Sequence, residues 1–158
     1  MRNRLIVRGL VVAAAVLMFS SLTAAQTPSN PRFARWKLKS TAAPPQSNIM
    51  TYEAWNGTGM KVTIDSVNRT GVKSSWGYTT MFDGKDEPVT GRNGTATGSV
   101  KVITDRINEI IYKDAAGKIV QVLVNVLSPD GKTINVVYVS GNAEGLRAPT
   151  YAIYEKIE

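Results

Sequence analysis

A short run of carboxylates is the most chemically suggestive stretch of the chain. Asp83, Asp86 and Glu87 lie within five consecutive residues, around Gly84. A calcium loop needs oxygen ligands at alternating positions, and an acid–base pair needs two carboxylates in contrasting environments. Asp and Gly at this spacing favour an exposed turn instead. We therefore predict a hairpin turn here, with neither a metal site nor a catalytic carboxylate.

The residue types that the chain lacks restrict its chemistry further. The sequence contains no cysteine and no histidine. Thiol nucleophiles, imidazole general bases and the common zinc ligand sets are therefore excluded. We predict that the protein is not an enzyme and carries no cofactor. Catalysis through tyrosine, lysine or carboxylate groups, such as isomerisation of an apolar substrate, is the weaker alternative.

Three glycines around Arg92 resemble a phosphate-binding loop at first sight. They are Gly91, Gly94 and Gly98. In such a loop the phosphate sits at the N-terminus of the helix that follows. No helical pattern follows here, so we predict no phosphate site and assign no role to Arg92.

The first 25 residues have the composition of an export signal. Arg2, Arg4 and Arg8 precede an apolar core, and small residues lead to Ala25. The apolar run is shorter than the roughly 20 residues of a spanning helix, so we predict a signal peptide over residues 1–25, cleaved near Ala25. The protein is then expected in a periplasm or outside the cell, with no membrane span in the mature chain.

Removal of this signal also removes much of the positive charge. The chain has 19 basic and 12 acidic residues, and the loss of three arginines leaves 16 basic residues and a net charge of +4. These charges are interspersed, so we predict no nucleic-acid partner. The remaining 133 residues are enough for one domain. We place this domain at residues 33–158, after a disordered lead-in at residues 26–32.

Short runs of β-branched and aromatic residues, separated by turns with Gly, Asn or Asp, fill the rest of the chain. This pattern predicts about eight to ten strands and no helix. Connections this short cannot carry parallel crossovers, so neighbouring strands should form antiparallel hairpins. An up-and-down meander of this length removes its exposed edges by closing into a barrel. The predicted strands are residues 35–39, 47–55, 60–67, 72–82, 87–90, 98–103, 107–113, 118–128, 133–140 and 148–156.

The strand at residues 118–128 has two faces that could each point inward. Four valines occupy one face, and the other mixes leucines with Gln121 and Asn125. With the valines inward, the barrel has a dry core and its amides are exposed. With the amides inward, polar groups among apolar walls could orient a ligand in a cavity. The sequence leaves both arrangements open.

The first predicted strand reads FARWKL over residues 33–38. It resembles the sequence F-x-G-T-W-K-L of fatty-acid-binding proteins, which belong with the lipocalins to the calycin superfamily. Ala34 stands where that family has glycine. The resemblance implies a lipocalin-like barrel in which Trp36 closes one end.

The last predicted strand ends in Tyr154, Glu155 and Lys156, similar to the R-x-Y-E-K at the end of fatty-acid-binding proteins. Ala152 stands where that family has the arginine that pairs with a fatty-acid carboxylate. The resemblance therefore implies an inward tyrosine hydroxyl without its charged partner. Stretches such as TYEAW and GMKVTI also resemble a group of small exported bacterial proteins that have no established activity.

We predict that the barrel binds a small, mostly apolar ligand in its interior. The alternative is a solid barrel that acts as a structural or protein-interaction module. In that case the apolar faces of residues 118–128 would be covered by a partner or by a second copy in a homodimer. The side chains predicted to line a ligand site are Trp76, Tyr78, Phe82, Leu123, Asn125, Tyr138 and Tyr154.

Overall fold

The chain folds into an antiparallel β-barrel, seen in a computed structural model that describes residues 30–39, 46–142 and 145–158. The predicted signal peptide lies outside these residues. The ten predicted strands are all present, with ends within two residues of the predicted bounds, and a short strand, β10, was not predicted. The strands are β1 (Ala34–Leu38), β2 (Ser47–Trp55), β3 (Gly59–Val67), β4 (Lys73–Thr80), β5 (Glu87–Pro88), β6 (Thr97–Thr104), β7 (Ile107–Lys113), β8 (Ile119–Leu127), β9 (Thr133–Asn142), β10 (Gly145–Leu146) and β11 (Thr150–Lys156).

The order of the strands confirms the predicted all-β meander. Around the barrel they follow β4-β3-β2-β1-β11-β9-β8-β7-β6-β5, and β10 pairs with β9. All of these pairings are antiparallel. Tight turns produce this order: Gly117 and Gly131, for example, adopt the positive φ that hairpin turns require. Because β1 lies between β2 and β11, the first and last strands meet in the same wall.

The barrel closes at a seam between β4 and β5. Gly77 of β4 and Thr90, which follows β5, exchange two backbone hydrogen bonds of 3.0 and 2.9 Å. The backbones approach closely beside this bridge. A Cβ added to Gly91 would lie 2.5 Å from the Ser75 carbonyl oxygen, and Gly91 has a φ of +78°. Glycine is therefore the residue that fits at this point of the seam.

We expect Gly91→Ala to loosen this seam and to lower the free energy of unfolding by about 1–3 kcal/mol, because the added methyl group meets backbone that must move. Gly94→Ala is the matched control. Gly94 lies in the same loop at a φ of +73°, and a Cβ there would meet nothing within 4 Å. Urea denaturation of the two variants separates the seam contact from φ strain. Equal losses in both variants would contradict the steric explanation.

Trp36 lies at one end of the barrel and is completely buried. Its indole Nε1 donates a 3.0 Å hydrogen bond to the Arg32 carbonyl oxygen. Arg32 is 3% exposed, and its Nη1 donates to the carbonyl oxygen of Asp105, in the turn between β6 and β7, at 3.0 Å. The segment before β1 therefore crosses the barrel end. Residues 30–32, which were assigned to the lead-in, are part of the fold.

Candidate functional site

The barrel encloses a cavity of about 400 Å³. Successive side chains of a strand point to opposite faces, so each strand contributes alternate residues to the wall. Aliphatic and aromatic groups make most of the wall, to which three amides and one arginine add polar groups. The volume falls in the range of small-molecule sites. The aromatic residues of the wall are Tyr52, Trp76, Tyr78, Tyr112, Tyr138 and Tyr154.

Strand β8 presents its amides to this cavity. Gln121, Leu123 and Asn125 line the wall, whereas the alternate valines are half-buried on the outside. The arrangement with valines inward is therefore wrong. Two of the outward valines, Val122 and Val124, pair directly with valines of β9. The two side chains of each pair shield each other partly from solvent.

Three aromatic rings pack together on the wall near the seam. Trp76 stacks on Tyr78 with ring centroids 6.4 Å apart, and both rings meet Tyr112 edge-on at 5.8 Å. Such contacts stabilise beyond the area they bury. Gly98 faces Tyr112 from the neighbouring strand β6, where an added Cβ would lie 2.9 Å from the ring. The missing side chain of Gly98 therefore makes room for the tyrosine.

Arg92 reaches the cavity from the loop between β5 and β6. Its guanidinium carbon lies 4.6 Å from the ring centroids of both Trp76 and Tyr112, which is a cation–π geometry. Its Nη2 donates to Gln121 Oε1 at 2.9 Å, and Gln121 Nε2 donates to the Ser140 hydroxyl at 3.0 Å. The same aromatic corner thus holds a positive charge on the cavity wall.

Tyr138 and Tyr154 form a second polar group. Their hydroxyl oxygens lie 3.3 Å apart, and the Tyr154 hydroxyl donates to Asn48 Oδ1 at 3.5 Å. Ala152 also lines the cavity, at the position where the resemblance places a carboxylate-binding arginine. This part of the wall offers neutral hydrogen-bonding groups and no counter-ion.

Buried amides form a third polar group. Asn125 Nδ2 donates to the Tyr52 hydroxyl at 3.1 Å. Asn108 is the direct cross-strand partner of Asn125, and both are buried. The Oδ1 atom of each has no hydrogen-bond partner within the described part of the chain. Asn125 also lines the cavity, so its Oδ1 can accept a hydrogen bond from a donor there.

Burial raises the pKa of all five cavity tyrosines above its ordinary value, because the low-polarity interior disfavours the phenolate. Neighbouring tyrosines raise the pKa of Tyr52 further, whereas the Arg92 charge opposes the upward shift at Tyr78 and Tyr112. The five phenols are therefore neutral at physiological pH. They act as hydrogen-bonding groups and do not supply a phenolate base.

We expect the barrel to lose stability steeply above about pH 10, where the tyrosines of the unfolded chain ionise. In this range the folded chain keeps protons that the unfolded chain has lost. The stability from the raised pKa values is thus complete below the unfolded pKa and disappears as the pH rises toward the folded pKa. Between the unfolded and the folded pKa of a cavity tyrosine, each rise of one pH unit lowers the free energy of unfolding by about 1.4 kcal/mol per tyrosine.

A pH titration that records tyrosinate absorbance and far-ultraviolet circular dichroism together checks this expectation. The absorbance of the cavity tyrosines should rise as the strand signal is lost. Ionisation of these tyrosines in a barrel that keeps its strand signal would contradict it.

Most of the residues predicted to line a site do lie on the cavity wall. They are Trp76, Tyr78, Leu123, Asn125, Tyr138 and Tyr154. Phe82 does not lie there: it follows the end of β4 at a φ of 61° and packs, half-buried, against the core. The strand alternation that would have placed Phe82 inward stops at Thr80, where β4 ends.

Several wall residues were not predicted. Tyr52 and Tyr112 lie on the inward faces of their strands. The residue that follows each of them, Glu53 or Lys113, is charged and lies on the outer face, where it is exposed or half-buried. A stricter count of this alternation would have found both tyrosines. Arg92 gives no such signal, because its position depends on how a loop folds across the seam.

The carboxylate cluster of residues 83–87 lies in an exposed connection, apart from the cavity. Asp83 contacts Lys85, and Asp86 contacts Lys113, each with a nitrogen–oxygen distance of 2.7 Å. Within the described ranges, no three Asp, Glu, Cys or His side chains are arranged to hold a metal ion. The described residues also contain no helix long and apolar enough to cross a membrane.

Comparison with known proteins supports the fold. No protein-family model and no curated protein matches the chain. The structure is similar to a crystal structure of the fluorescent protein UnaG, with a TM-score of 0.53, covering 78% of this chain and 96% of that one. The sequence identity is 14%, so the similarity concerns the fold. The predicted all-β, antiparallel meander that closes into a barrel is confirmed.

Proposed function

We propose that this protein binds one small, mostly apolar molecule inside the barrel. The observation that carries this proposal is the cavity of about 400 Å³. A barrel with a solid core would fill that space with side chains. The inward Gln121 and Asn125 support the proposal, because a dry core gains nothing from buried amides whereas a ligand site uses them for orientation.

The proposed function is binding without catalysis. In the described part of the chain, the cavity wall contains no carboxylate and no lysine. Its tyrosines are neutral phenols because burial raises their pKa. A general acid or base needs a pKa near the working pH, and these groups do not have one. This supports a carrier or sensor of a small molecule.

We also propose that the protein acts outside the cytoplasm. The basic start, apolar core and small residues of positions 1–25 support this location, as does the resemblance to small exported bacterial proteins. The mass of the mature protein checks it. A chain that begins at Gln26 is expected, and a full-length cytoplasmic chain would contradict export.

Native mass spectrometry of the mature protein, purified from its own compartment without added ligand, tests the binding function. We expect a bound mass that is lost on denaturation. Its identification as a small organic molecule would establish the cargo. A chain that stays empty, both as purified and after exposure to the small-molecule extract of its own compartment, would count against the proposal.

A protein-interaction module is the second candidate. It is favoured by the outer surface of β9 and β11, where Tyr151 is 75% and Ile153 is 42% exposed, and where Tyr151 pairs with the half-buried Val137. Exposed apolar patches can mark contact surfaces. A dimer without a small molecule in the same mass spectra would favour this candidate over the carrier.

A further inference from the structure

The cavity wall carries a single charge. Arg92 is the one charged residue among the described residues that line it, and none of the others is acidic. The salt bridges of the described residues do not include Arg92. A guanidinium cannot lose its proton at any physiological pH. The cavity wall therefore carries a positive charge that no acidic wall residue among those described balances.

The hydrogen bonds of Arg92 are incomplete. Nη2 donates to the neutral Gln121 Oε1, but Nη1 is buried and has no acceptor among the described residues. The two aromatic rings that contact the guanidinium hold it in place without neutralising it. Removing a charge from water is costly unless it is paired and hydrogen-bonded. An anion beside Arg92 would complete the pairing.

We propose, on the basis of the binding function above, that the ligand is a compact, flat organic acid whose anionic group pairs with Arg92. Its body then lies against the aromatic corner of Trp76, Tyr78 and Tyr112, and rings prefer offset or edge-on contacts of this kind. The neutral hydroxyls of Tyr138 and Tyr154 meet polar groups at the other end of such a molecule.

The wall chemistry favours a flat body over an alkyl chain. Five phenols and three amides lie among the aliphatic residues of the wall. A flexible alkyl chain would bury these polar groups without satisfying them and would lose conformational entropy on ordering. A rigid ring system that carries hydrogen-bonding atoms avoids both costs.

The position of Arg92 differs from the position that the resemblance implies for an anion partner. The resemblance places the anion partner at Ala152 on β11, near the middle of the strand order. Arg92 comes from the loop at the seam, on the opposite side of the barrel. A ligand anion would therefore point toward the seam between β4 and β5.

Two fluorescent probes with nearly the same body test this proposal. Anilinonaphthalene sulfonate carries an anion, and N-phenylnaphthylamine is its neutral counterpart. We expect the wild-type protein to bind the sulfonate about tenfold to hundredfold more tightly than the neutral probe, the range expected for a charge-assisted hydrogen bond. Arg92→Met should remove this preference. Arg92→Lys should restore part of the preference, because it keeps the charge but not the planar fork.

The outcomes separate the two proposals. Equal binding of both probes by the wild type, or an unchanged preference in Arg92→Met, would overturn the anion site while the binding barrel stands. If neither probe enters the wild-type cavity, the proposed function itself is contradicted. Circular dichroism in urea shows whether Arg92→Met is folded. Arg69→Met, in an exposed turn, is the matched control for a general loss of positive charge.

Discussion

Ala152→Phe is expected to weaken binding of a small apolar probe strongly while the barrel stays folded. Ala152 lines the cavity and pairs with Val136 of β9, and its small side chain leaves the space beside Val136 and Tyr154 open. A phenyl ring at this position occupies that space. We expect the affinity for N-phenylnaphthylamine to fall by at least about tenfold to hundredfold, the equivalent of about 1.4–3 kcal/mol.

Ile153→Phe is the control for this experiment. Ile153 is the next residue of β11 and is 42% exposed on the outside, so the same ring placed there does not enter the cavity. Probe fluorescence gives the affinities, and urea denaturation shows whether each variant folds. If Ala152→Phe binds as the wild type does, the probe does not occupy the interior, and the proposed site is wrong.

Trp36→Ala is expected to be the most destabilising single substitution among those considered. The indole is fully buried at the barrel end, and its Nε1 holds the Arg32 carbonyl oxygen. Removal of a buried large aromatic side chain costs about 3–5 kcal/mol, since lost burial and a new cavity add together. For a barrel without disulfides this is a large part of the total stability.

Trp55→Ala is the matched tryptophan control. Trp55 ends β2 and is 41% exposed, so its loss should change the free energy of unfolding by no more than about 1 kcal/mol. Circular dichroism in urea measures both variants without depending on indole fluorescence. A loss in Trp36→Ala no larger than that in Trp55→Ala would show that the barrel end contributes little. Trp36→Phe, which keeps a ring but loses the hydrogen bond, should fall between the wild type and Trp36→Ala.

The two arginines of the barrel have different surroundings. Arg32, in the segment before β1, donates through Nη1 to the carbonyl oxygen of Asp105, and its own carbonyl oxygen accepts from the buried Trp36. Its Nε and Nη2 have no acceptor among the described residues. Desolvation lowers the pKa of Arg32, but the group is an arginine and stays charged. Arg92, beside the seam, lies against two aromatic rings of the cavity wall, and its Nη1 has no acceptor within the described ranges. Stability is therefore expected to depend on the first arginine and ligand choice on the second.

The strands and their antiparallel order could be predicted from the sequence. Alternation of apolar and polar residues and short glycine-bearing turns are local features, and local features fix hairpins. They were sufficient to find ten strands within two residues of their bounds. Alternation also identified Trp76 and Tyr78 as wall residues, because β4 keeps its period as far as Thr80.

The tertiary structure alone decided which face of β8 points inward. Both faces are apolar enough to be buried, so periodicity could not choose between them. The choice follows from the partners: Asn125 meets Tyr52, which is 73 residues away along the chain, and Gln121 meets Arg92. Such contacts arise when distant strands close into a barrel.

The position of the Arg92 side chain also depends on the tertiary structure. Between two turn residues it has the sequence context of a solvent-exposed loop. The close approach at Gly91 carries that loop across the seam, and the guanidinium then lies on Trp76 and Tyr112 from two different strands. Phe82 was predicted to line the cavity because the strand pattern continues through it in the sequence. In the structure the backbone turns there at a positive φ, so its side chain does not reach the cavity wall. Local periodicity therefore predicts which strand residues line the cavity, whereas closure of the barrel determines that the Arg92 charge lies on its wall.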